Sequence, residues 1–457
     1  MQLWRADWIH HEGTFRRDHA LLIGDEGRIA ACGPRAEVEA LAGDAEVREL
    51  AGRAIAPGTI SAHSHAFQVF LRGAGDHPAS FPDWVSRYLY PLLERLDDDS
   101  LEAAALLCFH QMLRAGITTV GEFHYVHNGV DFAGRAGELS RIVIRAARKV
   151  GLRIAFISTL YDVKQRTGQG RMARPAAEAV SEIRGLAREL AGDPFVTVLP
   201  APHSLHGATR ASIEAGAALA EELDTRWHIH LAEQEDDVPF AQERHGARPL
   251  EVLERWGVLS ERTVLVHGIW LSPEERALLA ERGGGLVTNP TTNMALGDGI
   301  APLRDLLDRG VSVGLGTDMN AAPNVLTELR TAEYLQRVQS LEMGRLPRVG
   351  GAEPDPAVLW RLATTHGAEL LGVEAGALAA GQWADLLVID LADPSLLPGS
   401  LLGGDALLNL LSSSMVPETA LAETWVGGRC VATRGEVAGL PLDELRARVA
   451  AAAALGA

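Results

Sequence analysis

The segment Arg226-Trp227-His228-Ile229-His230-Leu231-Ala232-Glu233-Gln234-Glu235 starts as an apolar run and ends in acids. Its first six residues suit a strand buried on both faces, as in a parallel sheet. Strand periodicity sends His228 and His230 to one side, the geometry of a chelating pair, and leaves Glu233 beyond the strand end. Seven more runs read alike: AIAPGTISA (54–62), ITTVGEF (117–123), RIAFISTL (153–160), FVTVLPAP (195–202), TVLVHGI (263–269), GLVTN (285–289) and VSVGLGT (311–317). Segments of helical period, such as 100–116 and 175–190, lie between most of them. Eight strands with intervening helices predict an α/β chain folded as a (β/α)8 TIM-like barrel over 54–375. A doubly wound sheet is the alternative, but no GxGxxG turn follows the first strand.

Both ends differ. ALLIGDEGRIAACG, within 1–53, reads as two strands joined by a DEG turn, and the tail holds ADLLVID (384–390) and ETWVGGRCVATRGEV (423–437). Neither flank makes a sheet alone, so residues 1–53 and 376–440 are expected to pair into one small β-sandwich domain, with 441–457 a closing helix.

Composition narrows the function. The chain has 457 residues, 47% apolar, with no uninterrupted apolar run long enough for a membrane span. MQLWRADWIHHEG lacks the build of a signal peptide, so the cytoplasm is the expected compartment. Cys32, Cys108 and Cys430 are far apart and read as reduced thiols. A net charge of −18 argues against nucleic acid and leaves a small molecule as the expected partner.

The chemistry gathers at the predicted strand ends, where barrels of this kind keep their catalytic groups. These ends carry His63 and His65, Glu122 to Tyr125, His203, His230 with Glu233, His267, and Asp318. His63 and His65, two apart, point to one side of an extended backbone, as a divalent cation requires. With His230 and Asp318 the donors are three nitrogens and one carboxylate, which suit Zn²⁺, with Fe²⁺ the alternative. The remaining histidines, among them His10 and His110, read as solvated or helix-surface residues.

The ordered strings SAHSHAF (61–67), PHS (202–204), HLAE (230–233), VHG (266–268), TNPTTNMALGDGIAP (288–302), GTD (316–318) and GALAAGQWADLLVID (376–390) resemble the metal-dependent amidohydrolase superfamily, in its deaminase branch. That resemblance implies His63, His65, His230 and Asp318 as ligands of one metal ion, and places His228 a layer deeper. It implies Glu233 as proton shuttle, His267 as the group polarising the attacking oxygen, and Asp318 as base towards the water. Position 233 would face away from 230 on a continuing strand, so the chain must bend between them. The reaction implied is attack of metal-activated hydroxide on a C=N carbon with release of ammonia. Dimers are common in the family, so a homodimer is expected.

HSHAFQ (63–68), GEFHYVHN (121–128), HIHLAEQ (228–234), LGDGI (296–300) and EYLQR (333–337) most resemble formimidoylglutamate deiminases, in which Gln68, Tyr125 and His203 match substrate-contacting positions. Where those enzymes hold a carboxylate with two arginines, this chain has His206 and, near Val85, Arg87; neutral histidine does not replace a bidentate arginine. SFPDWVSRYLYPLL (80–93), with Trp84, and TNPTTNM are closer to deaminases of purine-like rings. The expected function is therefore an iminohydrolase of formimino-type or related acyclic amidine substrates; the alternative is a deaminase of an N-heterocycle (adenosyl or thioadenosine compounds, 8-oxoguanine, pterins or triazines), and the remote one a barrel that binds without catalysis.

Overall fold

The computed structural model describes residues 1–456 apart from 132, 136, 165–166, 352 and 414–416. Four strands, β1 (Gln2–His11), β2 (Thr14–Arg16), β3 (His19–Ile23) and β4 (Ile29–Pro34), precede β5 (Glu46–Pro57). The barrel follows: β6 (Thr59–Ser64), β7 (Ile117–His124), β8 (Arg153–Leu160), β9 (Val196–Pro202), β10 (Trp227–Leu231), β11 (Thr263–His267), β12 (Gly285–Thr288) and β13 (Val313–Leu315). The last four strands are β14 (Leu386–Asp390), β15 (Leu421–Val426), β16 (Arg429–Thr433) and β17 (Glu436–Val437).

Strands β6 to β9 and β10 to β13 form two parallel four-stranded sheets in sequence order. Parallel bridges from Ser204 to His230 and from Ser64 to Asp318 join their edges at the C-terminal ends. All eight strands are almost wholly buried, which is why they read as continuous apolar runs rather than alternating ones. Helices such as Asp98–Arg114, whose first turn is closed by the Asp97 carboxylate accepting from Ser100 N at 2.9 Å, cover the outside.

The run AIAPGTISA is not one strand. Its first half completes β5 in the terminal sheet and its second half is β6 of the barrel. The break is Gly58, where an added Cβ would lie 2.1 Å from Thr118 Oγ1, so only glycine lets the chain pass between the two sheets there.

Strands from the two chain ends pair into one nine-stranded sheet, in the order β17-β16-β15-β14-β5-β1-β3-β4 with β2 beside β1. The stretch 376–440 is not β-structure throughout, because the helices Gly399–Leu402 and Gly404–Ser413 interrupt it. A helix at Leu442–Gly456 follows. His10 and His110, expected in solvent, are buried: His10 lies edge-on to Phe15, and His110 sits on the inner face of its helix. Among the described residues no helix is long and apolar enough to cross a membrane.

Sheet and barrel are joined by a buried ion pair, in which Arg153 at the start of β8 donates to both oxygens of Asp385 at 2.7 and 3.0 Å. Asp385 Oδ1 also accepts from Gly427 N at 2.6 Å. Removing one partner strands a buried charge, so Asp385→Ala is expected to cost about 3–5 kcal/mol of stability in urea unfolding. A loss under about 1 kcal/mol would show that Arg153 reaches solvent instead.

Candidate active site

Each predicted ligand comes from a strand end. His63, in the last pleat of β6, and His65, the residue just after the strand, both turn inward on either side of Ser64. Their Nε2 atoms lie 3.2 Å apart, and His230 Nε2 at the end of β10 lies 3.2 Å from His63 Nε2. Asp318 Oδ1 is 3.6 Å from His65 Nε2 and 3.8 Å from His63 Nε2. Asp318 is locked against the histidine strand: its N–H donates to His63 O at 3.1 Å, and His65 N–H donates to Asp318 O at 2.9 Å.

The three imidazoles can be tested for fit to a cation. His65 Nδ1 lies 2.8 Å from Phe123 O and His230 Nδ1 2.9 Å from His203 O. A carbonyl only accepts, so both Nδ1 atoms carry the hydrogen and both Nε2 atoms present bare lone pairs. These face His63 Nε2, which can offer a proton to one of them at most. A shared cation resolves the clash. With zinc–nitrogen distances of roughly 2.0–2.1 Å, tetrahedral neighbours stand about 3.3 Å apart, close to the spacing seen. Burial holds all three rings neutral, pushing His65 down to about 3, and so keeps the lone pairs free. The same burial pushes the Asp318 carboxyl well up, a cost that a neighbouring cation would relieve. The residues fit one divalent ion.

His228 is not a ligand. It is fully buried, its Nε2–H donates to Leu370 O at 3.0 Å, and it lies a layer below His230. The bend required before Glu233 is at Ala232, whose φ of +51° is left-handed. Two other non-glycine residues with positive φ lie in the same cluster, His267 at +74° and Asp318 at +45°. The bend brings Glu233 Oε1 to 3.6 Å from His267 Nε2, which is 3.8 Å from Asp318 Oδ2. Burial first, then Asp298, Asp318 and Asp237, pushes the Glu233 carboxyl well above its usual range, so it favours holding a proton. His267 Nδ1–H donates to Asn293 Oδ1 at 3.0 Å, and burial pushes the ring down to about 4.

A cavity of about 310 Å³ opens over these groups. Gln68, Trp84, Tyr125, His203 and His206 all line it. Gln68 Nε2 donates to Tyr125 OH at 2.8 Å, while its buried Oε1 has no protein partner. His206 Nε2 donates to Asp237 Oδ1 at 2.8 Å. Arg87 is not brought into the cavity. Within the helical stretch 81–95, Trp84 and Val85 face inward, whereas Arg87, two residues on, is 63% exposed and 3.4 Å from Asp83 Oδ2.

Sequence reasoning missed other contributors. Phe81, Leu89, Tyr90, Tyr161, Met172 and Met319 make the walls largely aromatic and apolar. Asn293, in the short helix Pro290–Leu296 after β12, accepts from His267 Nδ1, and Asp298, just beyond that helix, accepts from Gln234 Nε2; the string LGDGI named Asp298 without giving it a task. Behind the ligands, the fully buried Glu122, pushed up to about 8 by burial, accepts from Ser64 Oγ at 2.6 Å and Ala66 N at 2.7 Å and so pins the backbone flanking His65.

Known proteins are similar to this chain over most of its length. The chain is 35% identical to a formimidoylglutamate deiminase of Pseudomonas aeruginosa over 430 residues, covering 90% of this chain and 91% of the relative. It is 32% identical to a 5'-deoxyadenosine deaminase of Methanothermobacter thermautotrophicus over 360 residues, 78% of each chain. Among solved structures, an adenosine deaminase of Xanthomonas campestris with bound zinc superposes with a TM-score of 0.84 at 25% identity, covering 99% of this chain and 97% of that one. The family model described as "Amidohydrolase family" matches residues 54–431, and this chain belongs to that family.

Proposed function

We infer that the chain is a metal-dependent hydrolytic deaminase whose substrate carries its C=N carbon in a flat ring. The observation that carries this is the convergence of His63, His65, His230 and Asp318 with Glu233 and His267 beneath an aromatic cavity.

His63, His65, His230 and Asp318 would hold the cation, which supplies Lewis acidity that lowers the pKa of a water from 15.7 to roughly 7. Asp318 Oδ2, on the His267 side, would take a proton from the attacking water. Glu233, held protonated by its surroundings, would deliver its proton to the C=N nitrogen. Of the two protons water brings, the one taken by Asp318 would return to Glu233. The one on the new hydroxyl would pass through the same carboxylates to the departing amine as the C–N bond breaks and the carbonyl forms. His267 Nε2, between the two carboxylates, steadies the oxygen that attacks. Water thus adds across C=N, the C–N bond breaks, and a carbonyl and ammonia result. Gln68 Oε1, buried and free, is placed to accept an N–H of the substrate.

Two features favour a ring. Phe81 and Trp84 lie near-parallel at 6.1 Å along the cavity wall, with Tyr90 and Tyr125 also lining it. Among the described residues lining the cavity there is no arginine or lysine to grip a glutamyl carboxylate. The formimino reading keeps its own support in the placement of Gln68, Tyr125 and His203 and in the Pseudomonas relative. Ammonia release from N-formimino-L-glutamate, measured beside 5'-deoxyadenosine, methylthioadenosine, 8-oxoguanine, a pterin and an aminotriazine, separates them. At least one ring is expected to exceed the formimino compound about tenfold in kcat/KM; turnover confined to N-formimino-L-glutamate would reject the ring reading.

The same reading takes zinc as the ion, as in the Xanthomonas relative, and a cytoplasmic homodimer as the working form. It also takes the two chain ends as one small β-sandwich domain bordering the barrel at Gly58. Its support is that alternate residues of β5 and β14 feed separate apolar clusters, Ile55, Leu386 and Val388 on one face and Ala54, Leu387 and Ile389 on the other.

A further inference from the structure

Ser61, Ser64, Glu122, Thr317 and Asn320 are buried and do not line the cavity. Their hydrogen bonds close a circuit behind the ligands. Ser64 Oγ, between His63 and His65, donates to Glu122 Oε2 at 2.6 Å and accepts from Asn320 Nδ2 at 3.1 Å. Asn320 Oδ1 accepts from Thr317 Oγ1 at 2.7 Å, and Thr317 N–H donates to Ser61 Oγ at 3.1 Å. Ser61 Oγ in turn donates to His63 O at 3.1 Å, back on the strand that carries the histidine pair. Asn320 is the node. Its Nδ2 also donates to Asp318 O at 2.8 Å, the same carbonyl that His65 N–H reaches. Both amide hydrogens and the carbonyl oxygen of its side chain are therefore engaged. Its φ of +56° is left-handed, a conformation asparagine tolerates better than most residues, and Arg72 Nε holds its backbone carbonyl at 2.7 Å.

We propose that Asn320 and Glu122 are positioning residues for the metal ion: joined through the Ser64 hydroxyl, they lock the histidine pair of β6 to the Asp318 turn, so that three of the four donors meet the cation already arranged. The inference rests on the metal reading above. A site whose donors must be ordered as the ion binds gives up part of its affinity to that ordering, whereas a fully satisfied buried network is ordered beforehand. Glu122→Gln keeps the shape but offers one oxygen to two donors, Ser64 O–H and Ala66 N–H. Asn320→Asp keeps the size and the tolerance of a left-handed turn, but sets an acceptor against Asp318 O where two donor hydrogens stood.

The test is zinc affinity, measured by competition with a chromophoric chelator on metal-free protein whose folding is checked by urea unfolding. Glu122→Gln and Asn320→Asp are each expected to weaken zinc binding by at least about tenfold. The double variant is expected to lose less than the product of the two, because both act through Ser64. Asp385→Ala, which strands a buried charge at the start of β8, is the control for lost stability alone and is expected to stay within about twofold of wild type. The visible absorption of the cobalt-loaded protein is expected to change in the two single variants and not in the control. Should Asn320→Asp fail to fold, Ser64→Ala, which lacks the shared hydroxyl, carries the same expectation. Wild-type zinc affinity in either variant, losses that multiply in the double variant, or an equal loss in Asp385→Ala would overturn the positioning role. A wild-type protein that takes up no zinc is a different result, and would reject the metal reading itself.

Discussion

Glu233→Gln is expected to lower kcat by about 10²–10⁴-fold while leaving bound metal and substrate affinity close to wild type. The amide keeps the shape and neutrality of the protonated acid, and the backbone that carries it is held independently by Asp237 Oδ2. What it lacks is a proton to give and a site to take one back. The substrate nitrogen then leaves unprotonated, and the proton on Asp318 has no path to it. Ammonia release and metal content measured on one preparation separate this from misfolding: full metal with little turnover is the expected pair. Turnover within a few-fold of wild type would remove Glu233 from the mechanism and leave His267 as the remaining proton carrier.

The second large effect concerns the ion. His230→Ala removes one of four donors together with its side-chain bond from Nδ1 to His203 O. Loss of an outer-shell partner alone weakens metal binding by roughly 10–100-fold, so loss of a ligand should exceed that. The variant should fold, since β10 keeps its pairing with β11 and the backbone bond from His230 N to His203 O at 3.0 Å. Its activity should fall to background and recover in part with excess zinc. Wild-type metal retention would mean that His63, His65 and Asp318 suffice.

Much of this site could be read from the chain because barrel chemistry sits where strands end. His63, His65, His230, His267 and Asp318 each follow a short apolar run, and that coincidence survives errors of a residue or two in strand limits. The bend at Ala232 was legible as a requirement, since strand alternation alone would have turned Glu233 away; its left-handed φ was not. Gly58 was missed because AIAPGTISA is apolar throughout, and the crossing between sheets depends on Thr118, sixty residues away. Arg87 was misplaced for a similar reason: near Trp84 in sequence, it falls on the outer face of the helix. Asn293 and Asp298 act through contacts 26 and 64 residues distant, to His267 and Gln234, which no local spacing announces. The substrate was least legible, because the cavity walls are assembled from side chains of the helical stretch 81–95 and of segments that follow most of the barrel strands.

The proposed chemistry requires one ion held by His63, His65, His230 and Asp318. The most direct measurement is elemental analysis of the purified wild-type protein, counted per chain. One equivalent of zinc or iron, kept in Glu233→Gln and lost in His230→Ala, is the result expected. No stoichiometric metal, or two equivalents that survive the loss of His230, would contradict it.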